Sequence, residues 1–320
     1  MAIGVFGLQV AYKLKRTELM SSNQTHGWFG GGATPTAVST VDRIDFSNDS
    51  ATASPRSPLS TVRSNFAATG NSNYGWFGGG LPGPVSTVDR IDFSNDFGTV
   101  SVRGPLSSIR YNLSATGNSN YGWFGGGSPS GLSVDRVSFS NDSATALPRG
   151  NLLSATRYDL SATGNFNYGW FGGGFPAQSV VDRINFANDS STASPRSPLS
   201  AARGYLAATG NSNYGWFGGG SAPFPSPALS TVDRIDFSND STSISIRGPL
   251  SVRRNIMAAT GNSNYGWFGG GKTGGATPPT TTTATVDRID FSNDSVSAST
   301  RGPLSAARYA LAATSNTPIG

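Results

Sequence analysis

Apolar residues in this chain fall into short runs cut by turn-forming residues, and the same runs recur from end to end. Around Trp123 a first run, RYNLSATGN from Arg110, is followed by the turn Gly117-Asn118-Ser119-Asn120 and a second run, YGWFGGG. After a loop comes SVDRVSFS, then Asn141-Asp142 as a hairpin turn, then SATALPR. Short apolar or β-branched runs bounded by Gly, Asn, Asp and Pro predict strands. Each unit therefore reads as four short strands. The passage to the next unit is RGPL or RSPL in most copies, where Pro interrupts pairing.

Aligning the units on Trp28, Trp76, Trp123, Trp170, Trp216 and Trp267 gives spacings of 48, 47, 47, 46 and 51 residues. A period of about 40–50 residues is that of propeller blades. The first strand of each internal unit is poor in bulk, AATG or SATG, which suits the crowded innermost position of a blade. The second carries Trp and Phe, each able to bury about 150–250 Å² between neighbouring blades. Glycines then end it, where another backbone can approach closely.

The repeats start part-way through a unit, at the second strand near Trp28, and finish on a first strand, RYALAATSN from Arg308 to Asn316. Pairing that strand with His26 to Gly32 completes a sixth unit and removes the open ends. An open β-solenoid is the competing arrangement, but it does not explain the split unit and needs atypical caps. The expected fold is all-β: a six-bladed propeller over residues 26–320, its ring closed by the C-terminal strand. Residues 1–25 form an arm in which Phe6, Leu8, Val10, Tyr12 and Leu14 alternate with small or polar residues, the pattern of a strand that docks on a partner.

Composition supports this. Glu18 is the only Glu, and Lys13, Lys15 and Lys272 are the only lysines, so the usual residues of exposed helices are missing. Gly 42 and Pro 19 in 320 residues stay below the roughly 25–30% of disordered low-complexity chains. No Cys is present, so disulfides and thiolate metal sites are excluded. The net charge of +5 comes from scattered arginines that recur with the repeat, a poor footprint for nucleic acid. No run reaches the ~18–20 apolar residues of a membrane span, and the first residues do not read as a signal peptide.

The pattern ATGN..YGWFGGG, STVDRIDFSND and RGPLS..R resembles the kelch repeat over nearly all of residues 26–316, although Trp stands before the glycines instead of after the third strand. The same strings, with the lead MAIGVFGLQVAYKL, are more closely similar to repeat-bearing structural proteins of marine cyanophages and related tailed phages. That resemblance implies a virion component, a tail-fibre, adhesin or decoration protein. Its partners would be other virion proteins and a host surface receptor or glycan, with homo-oligomers possible.

Chemistry is scarce. His26 is the only histidine, its repeat equivalents are Tyr, and no GxSxG elbow accompanies it, so a Ser-His-Asp relay has little to build on. Sialidase-like sites need Arg and acids in one asymmetric cluster, whereas Asp42, Arg43 and Asp45 recur in the other units. Repetition points to framework. We therefore expect no catalytic or metal site and no cofactor. Arg43, Arg90, Arg136, Arg183, Arg234 and Arg288 should form a buried or half-buried Asp–Arg network holding the third strand, with the six tryptophans as wedges between blades. The DRIDFSND span clusters oxygen ligands suited to calcium, but its spacing is not an EF-hand's and Asp45 becomes Ser138 and Asn185 elsewhere. The glycine triplet lacks the Lys-Ser/Thr of a phosphate loop.

Specificity should lie where the copies differ. Between the glycines and VDR the loops read ATPTAVST, LPGPVST, SPSGLS, FPAQSV, SAPFPSPALST and KTGGATPPTTTTAT, and a propeller places them on one face. Pro35, Pro82, Pro129, Phe175, Phe224, Lys272 and Thr273 are the loop-face candidates. A lectin-like module stacking sugars on Tyr and Trp between the blades is the alternative to a virion display protein.

Overall fold

The computed structural model describes residues 25–151, 153–222, 227–242, 244–274 and 280–317. They form six four-stranded antiparallel sheets arranged as the blades of a β-propeller, with two single-turn 3₁₀ helices at Phe139–Asn141 and Phe186–Asn188. Blade 2 shows the plan: inner strand Ala67–Gly70, second strand Tyr74–Gly78, third strand Val88–Asp92 and outer strand Ser101–Arg103. Blade 1 is shared between the chain ends, its inner strand Ala312–Ser315 lying beside His26–Gly30. The side chain of Asn316 accepts hydrogen bonds from the backbone of Thr25 and His26, both at 3.1 Å, fastening this closure. The strand Phe6 to Leu14 lies outside the described residues.

The core is divided among six clusters, each at a seam between consecutive blades. At the seam of blades 2 and 3, Trp76, Val88, Leu106 and Leu113 pack against Phe124 and Val137. The indole of Trp76 stacks on Phe139 at 3.8 Å and 7°, and its Nε1 donates to Asp142 Oδ2 at 2.8 Å. Asp142 belongs to the next blade, in the turn after its third strand, and also takes Arg90 at 3.0 Å and Arg103 at 3.6 Å. The node repeats around the ring: Trp28, Trp123, Trp170, Trp216 and Trp267 donate to Asp96, Asp189, Asp240, Asp294 and Asp49, each at 2.8 Å. The last pair joins blade 6 to blade 1.

The expected single Asp–Arg network is corrected to two. Adjacent residues of a strand point to opposite faces, so Asp89 and Arg90 cannot serve one site. Arg90 and its equivalents reach the carboxylate of the next blade. Asp89, Asp42, Asp135, Asp182, Asp233 and Asp287 instead pair with Arg63, Arg308, Arg110, Arg157, Arg203 and Arg254, which stand just before the inner strands. These arginines are buried, and the sequence reading had passed over them. Arg254 shows why they tolerate burial: it donates to the carbonyls of Gly270 and Thr285, both at 2.8 Å, and to Asp287 at 2.7 Å. Desolvation pulls its pKa down while Asp287 raises it. The serine of RGPLS completes the carboxylate's coordination, Ser251 donating from N at 3.0 Å and Oγ at 2.6 Å.

The glycine triplet follows from these contacts. A Cβ on Gly78 would stand 2.9 Å from the ring of Phe124 in the next blade. At Gly79, φ is +78° and a Cβ would stand 2.6 Å from the carbonyl oxygen of Arg110, so only glycine fits twice over. Removing one partner of a buried charged node typically costs about 3–5 kcal/mol because the other is left unpaired. Asp142→Ala, which strands the Trp76 indole N–H and Arg90 together, should lower the denaturant unfolding free energy by that amount. Asp92→Ala, at the half-buried end of a third strand where no arginine of the described residues pairs with it, should change it by under ~0.5 kcal/mol.

Candidate partner-binding face

Beyond each buried arginine the chain makes a fixed three-residue step before the inner strand. The first residue bridges to the residue after the glycine triplet, as Tyr111 does to Ser128 with N···O distances of 3.2 and 2.9 Å. Equivalent bridges join Ser64 to Leu81, Tyr158 to Phe175, Gly204 to Ser221, Asn255 to Lys272 and Tyr309 to Ala33. The variable loops and the entrances to the inner strands therefore share one face.

The second residue of the step is left-handed in every blade: Asn65, Asn112, Asp159, Tyr205, Ile256 and Ala310 have φ between 52° and 60°. This conformation costs an L-residue roughly 1–2 kcal/mol, and a β-branched Ile more than Asn. A ring of backbone hydrogen bonds holds it. The N–H of Asn65 donates to Ala310, Asn112 to Asn65, Asp159 to Asn112, Tyr205 to Asp159, Ile256 to Tyr205 and Ala310 to Ile256, at 2.7–2.9 Å. The circle surrounds the propeller axis and frames a pocket of about 70 Å³ floored by Phe66, Leu113, Leu160, Leu206, Met257 and Leu311.

Side chains on this ring break the symmetry that the rest of the fold keeps. Asn112 Nδ2 donates to Asp159 Oδ2 at 3.1 Å, and Tyr205 lies near the same carboxylate. Burial pushes the Asp159 pKa up to about 7 while Tyr205 and Asn112 pull it down, and burial together with the carboxylate pushes Tyr205 up to about 12. Phe175 lies between Tyr158 and Tyr205, ring centroids 5.5 and 6.2 Å away, so an aromatic arc runs out from Tyr205. This ring was missed in the sequence. Its signal is the position two after the repeated Arg, where six copies give five different residues.

Of the loop-face candidates, Pro35, Pro82 and Pro129 are exposed at loop tips, each following a cis peptide bond. Phe175 is half-buried in the aromatic arc. Lys272 and Thr273 pair with Thr281–Thr282 in a small two-stranded sheet, and Lys272 Nζ sits 3.8 Å over the ring of Tyr309. Phe224 lies outside the described residues. A second opening, on the axis, is a channel of about 170 Å³ lined by the repeated Ala, Thr and Gly of the inner strands, including Thr69, Thr116 and Thr260.

The framework candidates sit elsewhere. All six tryptophans are buried and present no face to solvent, which removes them as sugar platforms. Arg90, Arg136, Arg183, Arg234 and Arg288 lie over Tyr74, Tyr121, Tyr168, Tyr214 and Tyr265 at 4.2–4.5 Å. In blade 1 the position of these tyrosines is taken by His26, whose Nδ1 is 2.7 Å from Thr25 Oγ1 and whose pKa is lowered by burial and by Arg43. Among the described residues no group of three or more His, Cys, Asp or Glu is placed to hold a metal, and no helix is long and apolar enough to cross a membrane. No protein-family model matches the chain, and no curated protein is similar to it.

Two predictions follow from the ring. Ile256→Asn should stabilise the fold by about 1 kcal/mol and Asn65→Ile destabilise it by a similar amount, because Asn tolerates the left-handed region; thermal melts that move in the same direction for both would contradict the argument. Asp159, with its folded pKa above the unfolded value of 3.8, binds its proton more tightly when folded. Stability should therefore be highest below pH 3.8 for this group and decline as pH rises to about 7, with Tyr205 neutral throughout. Measured against Asp159→Asn, wild type should lose stability across that window and then level off.

Proposed function

We propose that the chain is a non-enzymatic structural and recognition protein of a tailed-phage particle, mounted through its N-terminal residues and displaying the loop face to a host surface or a neighbouring virion protein. One observation carries the display reading: residues that repeat are consumed in joints within and between blades, and the residues that differ gather on a single face around the axis. A rigid scaffold with variable loops is the usual architecture of recognition. The likeness of the YGWFGGG, STVDRIDFSND and RGPLS strings to cyanophage repeat proteins supports the phage assignment and names the tail fibre, adhesin or decoration role.

Sugar recognition enters this proposal only as one form of host binding. With the tryptophans buried, a glycan would meet Tyr158, Phe175, Tyr205 and the loop tips, not the seams between blades. The test is binding of the fluorescently labelled protein to cyanobacterial cells. Binding should be seen for wild type and should fall at least tenfold when Phe175→Ala is combined with replacement of the 272–285 loop by LPGPVST. Asn71→Ala and Asn211→Ala, on the turns at the opposite end of the inner strands, should leave it unchanged. Loss of binding in the Asn variants with retention in the loop variants would refute the loop-face assignment.

A further inference from the structure

Every carboxylate in the described residues except one has a task in the repeat. Twelve pair with arginine at two sites per blade, and Asp45, Asp92, Asp236 and Asp290 accept from serines in exposed turns. Asp159 is the exception. It is half-buried on the axial ring and no arginine or lysine of the described residues pairs with it. The preceding copies place Asn65 and Asn112 at the same backbone position with the same φ, so an isosteric neutral residue satisfies the fold there. Asn112 and Tyr205 offset the desolvation of the carboxylate only in part, and the pKa stays raised, so a cation from outside the chain would complete its neutralisation.

The surroundings specify what that is. Tyr205 lines the pocket with Asp159, and Phe175 and Tyr158 continue from it as a chain of tilted rings; aromatic faces attract cations. Asn112 spends its amide N–H on Asp159, and its Oδ1 is buried without a donor among the described residues. Carboxylate and amide oxygen together ask for a group rich in N–H. The pocket of about 70 Å³ admits more than one water, which needs roughly 10–15 Å³.

We propose that the axial mouth of the loop face receives a guanidinium or ammonium group, an arginine or lysine side chain of the partner, held by Asp159 and the ring of Tyr205. The proposal rests on the loop-face reading for its location. The titratable groups on the surrounding steps are Tyr111, Tyr158, Tyr205, Arg110, Arg157 and Arg203, and the three arginines are committed to Asp135, Asp182 and Asp233. The competing charge on the ring is thus the proton on Asp159 itself. Cation affinity should fall about tenfold for each pH unit below the Asp159 pKa.

The test is a carboxyl-carbon NMR titration of the Asp-labelled protein with N-acetylarginine amide and n-butylammonium, at about pH 8 and about pH 5 to bracket the Asp159 pKa. At the higher pH both should shift the Asp159 resonance saturably and lower its pKa, and at the lower pH binding should weaken at least tenfold. Asp159→Asn should abolish the binding, followed in that variant by tyrosine ring signals. Tyr205→Phe, which removes a competing hydroxyl donor and keeps the ring, should retain it. No saturable shift in wild type, or equal binding by Asp159→Asn, overturns the proposal. Binding of the arginine amide without any binding to cells would keep this site and sink the loop-face reading; cell binding that survives Asp159→Asn and excess arginine amide would do the reverse. Preference for n-butylammonium over the arginine amide would narrow the partner's group to a lysine side chain, and the reverse preference to an arginine.

Discussion

The hydrogen bond from a buried indole to a carboxylate of the next blade is the contact on which this ring depends. A tryptophan stacked between two sheets supplies area but no register, because stacked rings slide. Its N–H, once buried, must find an acceptor, and the acceptor it takes is the aspartate that also receives two arginines. The node thus fixes blade against blade in position and angle. Six such nodes, the last between Trp267 and Asp49, close the circle without any continuous core at its centre.

Much of the fold was legible in the sequence, and the reasons are specific. The period, the glycine-ended aromatic strand and the divided first unit each had one simple geometric meaning, and their meanings agreed. The charged networks were less legible because their partners lie on different blades or on a linker. Arg90 stands next to Asp89 in the sequence, yet its carboxylate is Asp142, and Asn141-Asp142 read as nothing more than a turn. Alternation along a strand forbids the nearest pairing, but it does not say which distant residue replaces it. The tyrosine ring over which Arg90 lies was equally invisible, since it depends on register across two strands.

The binding face was half legible. Loops that change length are conspicuous, and they led to Phe175 and Lys272, each of which packs on a tyrosine of the steps before the inner strands. The axial ring changes only by substitution, one residue at a time inside a constant frame, so no alignment gap marks it. Its importance comes from geometry: a linker position in each copy becomes, after closure, one of six neighbours around a single opening.

That circle of backbone hydrogen bonds has a consequence for how such a protein can change. Each link uses main-chain N–H and C=O, so the same hydrogen bonds form with Asn, Asp, Tyr, Ile or Ala mounted, at a cost of about 1 kcal/mol where the residue resists the left-handed conformation. Six positions can therefore be rewritten while the scaffold stays put. A change at a single codon is enough to alter what this opening presents to a partner.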